Sequence, residues 1–563
     1  MFELILSCVV SSIVLLSIGN LFCSYFFKDK ISISKNFSEF SLFGIVALSF
    51  FALILNFFFP LNKLIGTLII IISLILFFRY FSKTLFKKEL VLYICYTSLL
   101  SFILLLLSNI NRPDAGLYHL PYISMINENK IILGASNIHF RFGHISIIQY
   151  LSAIYNNFIF TTSIITVPLA SLVSIFFIYL LNNFFIFIKD NKFIANFIFL
   201  IFIFSIFNFN RYSSLGNDAP GHIYFFILVI YFLQIYNIRE CGNKIYSKIL
   251  ILSIFLAALK LFLVLIAIIP VSLFLLHKNK KKLAYNKTNL IFLLIGTLWI
   301  LKNILVSGCL LYPVQKTCIK NLIYHNAEQT EEAVFVSEAW AKGWSDQKGV
   351  ILNYEEYNKN FNWLKTWSNN HLKKIFEKIL PFLIFLTLIT IFHFIKYFYR
   401  EKKIEYQKFN KKRFYQLFIL NIFFLIFWFL KFPIYRYGLS FIALFLILIL
   451  LILFSKIYID NNRKYYTSII ILCFMGLFLK NGFRINDKIN VFYNDYPWPK
   501  IYSLDINNKN IPNKFQLIKK NGFEVYYYSN QELCMYSKSP CSNYKLENLN
   551  SKKIGSYSIY FLN

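Results

Sequence analysis

The sequence predicts an all-α polytopic membrane protein with about fourteen transmembrane helices and a small α/β or β unit at its C-terminal end. Hydrophobic residues make up 58% of the chain and charged residues only 15%, whereas about a quarter of the residues of soluble globular proteins are charged. Apolar runs of about 17 to 25 residues recur along the chain, and each can cross a hydrocarbon core of about 30 Å as a helix.

The predicted spans divide the chain into a transmembrane domain, residues 1–480, and an extracytoplasmic C-terminal domain, residues 481–563. Stretches with alternating apolar and polar residues at 524–528 and 557–561 predict strands in the second domain. Outer loops are expected at residues 109–160, 208–221 and 308–378. The fourteen spans are placed near residues 2–26, 40–59, 64–82, 91–108, 161–188, 193–209, 222–237, 246–259, 261–276, 289–307, 379–396, 414–430, 437–455 and 465–480.

Basic residues set the predicted orientation, because loops rich in Lys and Arg stay in the cytoplasm. With fourteen spans, every strongly basic connection falls on the same side, provided that residues 144–160 do not cross the membrane and that residues 246–276 turn back near Lys260. The expected location is therefore a cytoplasmic (inner) membrane, with the outer loops and the C-terminal domain outside. These basic connections are Lys28 to Lys35, Lys83 to Lys88, Arg239 to Lys248, Lys278 to Lys282, Arg400 to Arg413 and Lys456 to Lys464.

The formal charge of +32 does not indicate a nucleic-acid partner, because the basic residues are spread between apolar runs rather than gathered on one face. The expected partners are membrane lipids and their derivatives. No P-loop and no H-E-x-x-H motif is present, so ATP-driven transport and zincin chemistry lack their residues.

Four of the nine cysteines fall in regions predicted to be outside, and they form two close pairs. Cys309 with Cys318 and Cys534 with Cys541 are expected to form local disulfides, because disulfides persist in an oxidising compartment. Four free thiols are the alternative, and a zinc site is disfavoured because no histidine joins the spacing.

The first outer loop holds the best candidates for chemistry. It contains N-R-P-D-A-G-L-Y-H at residues 111–119 and N-I-H-F-R-F-G-H at residues 137–144. A carboxylate and imidazoles at a membrane surface can orient a polar substrate, take a proton from it or bind a divalent metal. The alternative is an ordinary polar loop in which the aspartate caps a helix. The candidates here are Asp114 and His119, with Arg112, His139, Arg141 and His144 around them.

The second outer loop ends in N-D-A-P-G-H and supplies Asp218 and His222 at the start of a span. Asp218 is a second candidate acid on the same side. A simple N-cap ahead of Pro220 is the competing interpretation.

Two cations near the predicted outer surface are candidates for binding an anionic group. Lys260 has apolar neighbours on both sides, so its ammonium needs a partner or water. Arg436, in the segment F-P-I-Y-R-Y-G, can bind phosphate or carboxylate in bidentate fashion. Snorkelling of the lysine and interfacial anchoring of the arginine are the alternatives.

These residues resemble the membrane glycosyltransferases of the GT-C superfamily, which carry a catalytic acid in the first large outer loop and often another in the next. Asp114 and Asp218 match these positions, and the segment from Trp299 to Pro313 resembles the W-x-x-R-N motif and its continuation, with Lys302 in place of arginine. The chain also resembles a bacterial family of multi-spanning proteins, without an assigned reaction, that share a D-x-G-L-Y-H…N-x-H-x-R loop.

The GT-C resemblance implies inverting transfer of a sugar from a polyprenyl-phosphate donor to an extracytoplasmic glycan, lipid or protein acceptor. Asp114 would be the general base, with His119 and Asp218 orienting the acceptor or a divalent metal, which the histidines leave open as a cofactor. Lys260, Lys302 and Arg436 would offset charge on the leaving phosphate. A polysaccharide polymerase or ligase acting on lipid-linked oligosaccharides is the alternative, and a transporter or flippase ranks last because no internal repeat is found.

The orientation gives a first testable prediction. A topology reporter fused after Arg400 should be active only in the cytoplasm, and one fused at residue 563 only outside, because basic loops are retained in the cytoplasm. The opposite activity at either fusion site would contradict the assignment.

Overall fold

The computed structural model of the protein is helical throughout its apolar part and ends in a small strand unit. The fold is described here for residues 2–29, 37–82, 87–107, 114–209, 215–235, 238–349, 351–398, 411–453, 463–487, 515–520, 523–529, 533–543 and 546–562.

Within these ranges, twenty α-helices and five strands follow in chain order. The helices are α1 Phe2–Phe26, α2 Phe37–Phe58, α3 Lys63–Phe81, α4 Lys88–Leu106, α5 Leu120–Glu128, α6 Ile147–Ile154, α7 Val167–Asp190, α8 Lys192–Asn208, α9 Asp218–Gln234, α10 Asn243–Leu259, α11 Ile268–Leu276, α12 Lys280–Ala284, α13 Lys287–Ser307, α14 Ala327–Ala341, α15 Tyr354–Asn358, α16 Leu364–Trp367, α17 Lys373–Phe398, α18 Lys411–Lys431, α19 Tyr435–Leu453 and α20 Arg463–Asp487. The strands are β1 Phe515–Lys520, β2 Phe523–Ser529, β3 Cys541–Ser542, β4 Leu549–Ile554 and β5 Tyr557–Leu562.

Within the described ranges, nine helices are long and apolar enough to cross a membrane, and three more apolar helices are shorter. The predicted count of fourteen spans is therefore not confirmed. The shorter helices include α8 and α9, which have 17 residues each. At about 1.5 Å per residue such a helix covers about 26 Å, slightly less than a hydrocarbon core of about 30 Å.

Large apolar side chains point outward from these long helices. Ile75 on α3 is 60% exposed, Leu294 on α13 60% and Ile419 on α18 66%. Apolar surface of this extent is costly in water and is normal against lipid chains. Together with the number of long apolar helices, it identifies the chain as an all-α, multi-pass membrane protein.

Two glycines allow α1 and α2 to approach closely. A Cβ at Gly19 would lie 1.7 Å from the carbonyl oxygen of Phe40, and a Cβ at Gly44 would lie 2.0 Å from that of Leu15. Small residues at helix contacts let membrane helices approach closely enough for van der Waals packing to hold them. The α1–α2 pair is thus a contact of backbone against backbone.

Residues 243–276 form a helical hairpin, as the sequence predicted. α10 ends at Leu259, Lys260 is extended with φ −159° and ψ 132°, and a 3₁₀ segment, Leu261–Ala267, leads into α11. The two ends of the hairpin meet where the Lys278 N–H donates to the Arg239 carbonyl oxygen at 3.0 Å. Lys260 therefore lies at the tip of the hairpin.

A charged cluster lies at the opposite end of α10 from Lys260. The Lys248 ammonium is 3.1 Å from the Asp29 carboxylate and 2.5 Å from that of Glu39, and Lys244 also pairs with Asp29. The Tyr231 hydroxyl donates to the Glu39 carboxylate at 2.7 Å. These contacts tie the ends of α1, α2, α9 and α10 together.

The strands form two small sheets after α20. β1 pairs antiparallel with β2, β2 pairs parallel with β3, and β4 and β5 form a separate antiparallel hairpin. The Tyr560 N–H donates to the Leu133 carbonyl oxygen at 2.9 Å, and the Leu133 N–H donates to the Ser558 carbonyl oxygen at 3.0 Å. The C-terminal unit therefore packs on the first predicted outer loop.

The close helix pair gives a stability prediction. Gly44→Val should reduce the yield of folded protein and lower its melting temperature, because overpacking of a close contact costs about 1 to 3 kcal/mol or more. Gly482→Ala on α20 is the matched control, since no atom lies within 4 Å of its added Cβ. Equal melting temperatures for the two variants in detergent would contradict the close α1–α2 contact.

Candidate functional site

The two candidate acids come from different regions of the chain. Asp114 directly precedes a π-helical turn, Ala115–His119, which continues into α5 with Pro121 in the first helical turn. Asp218 is the first residue of α9, and Pro220 is the third. A proline early in a helix fixes the backbone without losing a hydrogen bond, so both aspartates stand where a helix begins.

Arg436, the second residue of α19, lies between the two acids. Its NH1 and NH2 are 3.3 and 3.4 Å from Oδ2 of Asp114, and its Nε is 3.6 Å from Oδ2 of Asp218. The side chains of Asp114, Asp218 and Arg436 are 27%, 25% and 29% exposed, so the group is only partly open to solvent. One guanidinium therefore joins two carboxylates that lie far apart in sequence.

Lys260 completes the pairing of Asp218. Its ammonium forms an ion pair with Oδ1 of Asp218 and lies 3.1 Å from the centre of the Tyr437 ring. A cation over an aromatic face is held by the quadrupole of the ring as well as by its carboxylate partner. The tip of the α10–α11 hairpin is thus attached to the start of α9 and of α19.

Arg141 reaches the same cluster from the first outer loop. Its NH1 is 3.5 Å from Oδ1 of Asp114, and its guanidinium lies 5.0 Å from the centre of the Tyr118 ring. The His139 Nδ1 accepts a hydrogen bond from the Arg141 N–H at 3.1 Å, which fixes the backbone at this point. Three cations and two carboxylates make up the cluster, so one positive charge is left over.

The histidines of the first loop are neutral at physiological pH. Burial lowers the pKa of His119 to about 4, although the carboxylates of Asp114 and Asp218 oppose the shift. The side-chain amide of Gln149 donates to Nδ1 of His119 at 2.8 Å, which leaves the imidazole proton on Nε2. Burial, with Arg141 next, also lowers the pKa of His139 to about 3 and that of His144 to about 4.

His222 has a positioning role in the structure. Its Nε2–H donates to the carbonyl oxygen of Arg436 at 2.8 Å, and its Nδ1 accepts from the Ser440 hydroxyl at 2.9 Å. Both ring nitrogens therefore contact the first two turns of α19. His222 holds the backbone that carries Arg436.

Lys302 is placed differently from the other cations. It is fully buried, and its ammonium donates to Oδ1 of Asn303 at 3.0 Å and to the carbonyl oxygen of Ile145 at 3.4 Å. The ammonium also lies 3.9 Å from the centre of the Trp299 ring. Its described contacts hold the loop after His144 against α13 rather than joining the acidic cluster.

Arg112 and a candidate metal site are the remaining parts of the expected site. Arg112 lies outside the described residues. Within the described part of the chain, the metal-type cluster of three His, Cys, Asp or Glu ligands consists of Cys309, Cys318 and His325, and both sulfurs are joined in a disulfide. His325 Nδ1 is 3.9 Å from the sulfur of Cys309, so a histidine does lie beside this pair, although the spacing did not indicate it. Cys534 and Cys541 form the second disulfide.

An apolar cavity of about 650 Å³ lies between α10, α11 and α13. Lys260, His144 and Tyr312 line one end of it, and Tyr246 and Asn289 line the other. The side chains between them, along α10 and α13, are mostly aliphatic. Lys260 therefore belongs both to the charged cluster and to one end of the apolar cavity.

Sequence reasoning missed the aromatic and amide groups around the charges. Tyr118, Tyr437 and Gln149 each contact a candidate residue, as described above. Tyr118 and Tyr437 stand next in sequence to His119 and Arg436, and this adjacency was the available signal. Gln149 gave none, because a glutamine in a short buried helix has no characteristic pattern.

A family model described as Domain of unknown function (DUF8201) matches residues 1–443 of the chain. No curated protein and no solved structure matches it. The matched residues include Asp114, Asp218, Lys260 and Arg436, and they end before α20 and the C-terminal strands.

The buried histidines give a prediction of pH dependence. Their folded-state pKa values, about 3 to 4, lie below the usual 6.5, so the unfolded chain binds more protons and stability is lost as the pH falls from about 6.5 towards 4. The melting temperature in detergent should therefore be lower at pH 5 than at pH 7. His139→Gln should reduce the pH-dependent loss by up to about 1.4 kcal/mol per pH unit, and an unchanged slope would contradict the burial of a neutral His139.

Proposed function

The chain belongs to the DUF8201 family, and we propose that it is a membrane enzyme that transfers a sugar from a polyprenyl-phosphate donor to a glycan, lipid or protein acceptor. The observation that supports this most directly is the meeting of Asp114, Asp218, Arg436 and Lys260 at the end of the apolar cavity. Such an arrangement offers a place for a lipid chain, cations for its head group and a carboxylate for the acceptor.

The length of the cavity favours a long lipid chain. It follows α10 from Tyr246 to Lys260, which is about 21 Å at a rise of about 1.5 Å per residue. One leaflet of a bilayer provides only about 15 Å of hydrocarbon, half of a core of about 30 Å. A polyprenyl chain reaches further than this, whereas the acyl chain of a phospholipid is matched to one leaflet.

The charges at the end of the cavity favour an anionic head group. Lys260, Arg141 and Arg436 contact two carboxylates, and the remaining positive charge is available to a phosphate. Guanidinium groups bind phosphate oxygens in bidentate fashion and are more weakly hydrated than ammonium groups. In the proposed reaction these cations stabilise the negative charge that develops on the leaving phosphate.

Asp114 is the proposed general base. Its contacts to Arg141 and Arg436, at 3.5 and 3.3 Å, are long for charge-assisted hydrogen bonds, and its side chain is partly exposed. The carboxylate takes the proton of the acceptor hydroxyl while the hydroxyl oxygen attacks the anomeric carbon. The bond between that carbon and the phosphate oxygen breaks, the phosphate keeps the electron pair, and the configuration inverts.

The other groups orient the reacting parts in this proposal. Asp218, held by Lys260 and Arg436, and neutral His119, with its proton on Nε2, would position the acceptor. We further propose that the protein has fourteen spans in a bacterial cytoplasmic membrane and that this cluster faces outward. The agreement of all the basic loops with one side supports that orientation.

A polysaccharide polymerase or ligase that joins lipid-linked oligosaccharides is the second candidate. The central position of Arg436, which contacts both carboxylates, favours it, because the arginine would then be the essential group and the acids would only hold it in place. The substrates of both reactions are lipid-linked and anionic, so the same cavity serves either one.

Asp114→Asn should lower sugar transfer by a factor of about 100 to 10,000, because an amide keeps the shape of the carboxylate but does not accept a proton at neutral pH. The measurement is transfer of labelled sugar from a polyprenyl phosphate in isolated membranes, corrected for the amount of inserted protein. Asp346→Asn is the matched control, since this acid lies in the large outer loop and contacts Asn370.

Arg436→Gln and Asp114→Asn separate the two candidate functions when the amount of surface glycan that the cells form is measured, because both reactions contribute to that product. Loss of activity in Arg436→Gln together with full activity in Asp114→Asn would favour the polymerase or ligase. Full transfer activity in both variants would refute any role of the cluster in the reaction.

A further inference from the structure

A short segment of the C-terminal unit, residues 533–541, lies directly on the turn that carries the candidate acid. The Met535 N–H donates to the carbonyl oxygen of Gly116 at 2.8 Å. Gly116 belongs to the π-helical turn between Asp114 and His119. The segment is closed on itself by the disulfide between Cys534 and Cys541.

Gly116 and Met535 fit together so closely that a side chain at position 116 would displace the Met535 side chain from its place. A Cβ at Gly116 would lie 2.2 Å from the sulfur of Met535 and 3.1 Å from the Cβ of Leu533. Met535 is buried although it lies in an irregular segment. The packing of this methionine therefore limits where the turn after Asp114 can lie.

The contact continues along α5. The Ser124 hydroxyl donates to the carbonyl oxygen of Ser537 at 2.5 Å, and the Glu128 carboxylate accepts from the N–H and the hydroxyl of Ser539 at 3.0 and 3.1 Å. Ser124 lies eight residues after Gly116, and Glu128 lies four residues after Ser124. This spacing places the three residues on one side of a helix. The segment thus follows α5 from the acidic turn to the C-terminal end of the helix.

Tyr536 joins the segment to a second part of the loop. Its hydroxyl donates to Oδ1 of Asn127 at 3.0 Å and accepts from Nδ2 of Asn156 at 3.0 Å. Asn127 itself donates to the carbonyl oxygen of Ala153 at 2.9 Å, at the end of α6. The tyrosine therefore holds α5 and the chain after α6 at a fixed separation.

We propose that the disulfide-closed segment 533–541 is a positioning element of the candidate site, which fixes the turn bearing Asp114 and His119 in the place that Arg436 and Arg141 require. The effect of this segment on catalysis rests on the proposed function, whereas its effect on the position of the turn does not. Most of the segment, residues 533–540, has no helix or strand to order it. Ordering such a chain is costly in conformational entropy, and the disulfide reduces the number of conformations that must be given up.

The test is hydrogen–deuterium exchange on the full chain in detergent, comparing the wild type with the double variant Cys534→Ser/Cys541→Ser. The amides of residues 115–128 should exchange at least about tenfold faster in the variant, while those of α1 stay unchanged. Cys309→Ser/Cys318→Ser is the matched control, because it removes the other disulfide and should leave residues 115–128 as they are. Unchanged exchange at residues 115–128 in the Cys534 and Cys541 variant would overturn the proposal.

A second pair of variants keeps the test decisive if the cysteine variant does not fold. Gly116→Ala should raise exchange in the same turn because its Cβ meets Met535, and Gly116→Ala/Met535→Ala should return it to within about threefold of the wild type. No rescue by the second substitution would contradict the proposed contact. Exchange that follows the proposal in a protein without sugar transfer would refute the function and leave the positioning role intact.

Discussion

The arrangement of the candidate site depends on one arginine side chain between two carboxylates. Arg436 and Asp114 are 322 residues apart in sequence, and Asp218 comes from a third region. Without the guanidinium, Asp114 would keep its contact with Arg141 and Asp218 its ion pair with Lys260, but no described side chain would join the two acids. Their like charges would repel each other more strongly at a partly buried site than in water. His222, one turn into α9, binds the backbone carbonyl of Arg436, so the helix that supplies one acid also orients the cation.

The α10–α11 hairpin connects this cluster with the membrane part of the fold. Lys260 holds its tip to Asp218, and Lys244 and Lys248 hold its other end to Asp29 and Glu39. These ion pairs attach the hairpin, which lines the apolar cavity, to the start of α9 at one end and to the start of α2 and the chain after α1 at the other. Apolar side chains alone would provide little orientation in a lipid environment.

Much of the helical fold could be predicted from the sequence, because an apolar run of about 18 residues has few alternatives to a helix in lipid. The turn at Lys260 was predictable for a different reason, because an ammonium is not stable among aliphatic side chains at mid-membrane. The number of spans was not, because helices such as α8 and α9 fall at the lower limit of length. The charged residues of the two outer loops that meet in the cluster were also identifiable as candidates from their clustering in the sequence.

The roles of individual residues were less accessible. The substrate-binding role expected of His222 and Lys302 stays a prediction, and the structure adds protein partners for both side chains that the sequence did not indicate. Nothing in the local sequence distinguishes a buried polar group with an internal partner from one that faces a ligand. The contact between Gly116 and Met535 was equally hidden. Pairings across several hundred residues depend on how helices pack, which hydrophobicity alone does not specify.

The position of segment 533–541 has a consequence for the order of events in biosynthesis. It follows α20 in the chain, so it is synthesised after every described membrane helix. Until it arrives and its cysteines are oxidised, the turn at Gly116 lacks the surface against which it packs. A nascent chain that has inserted all its described helices is therefore still immature, and the turn at Gly116 gains its packing surface only after segment 533–541 has been made and closed by its disulfide.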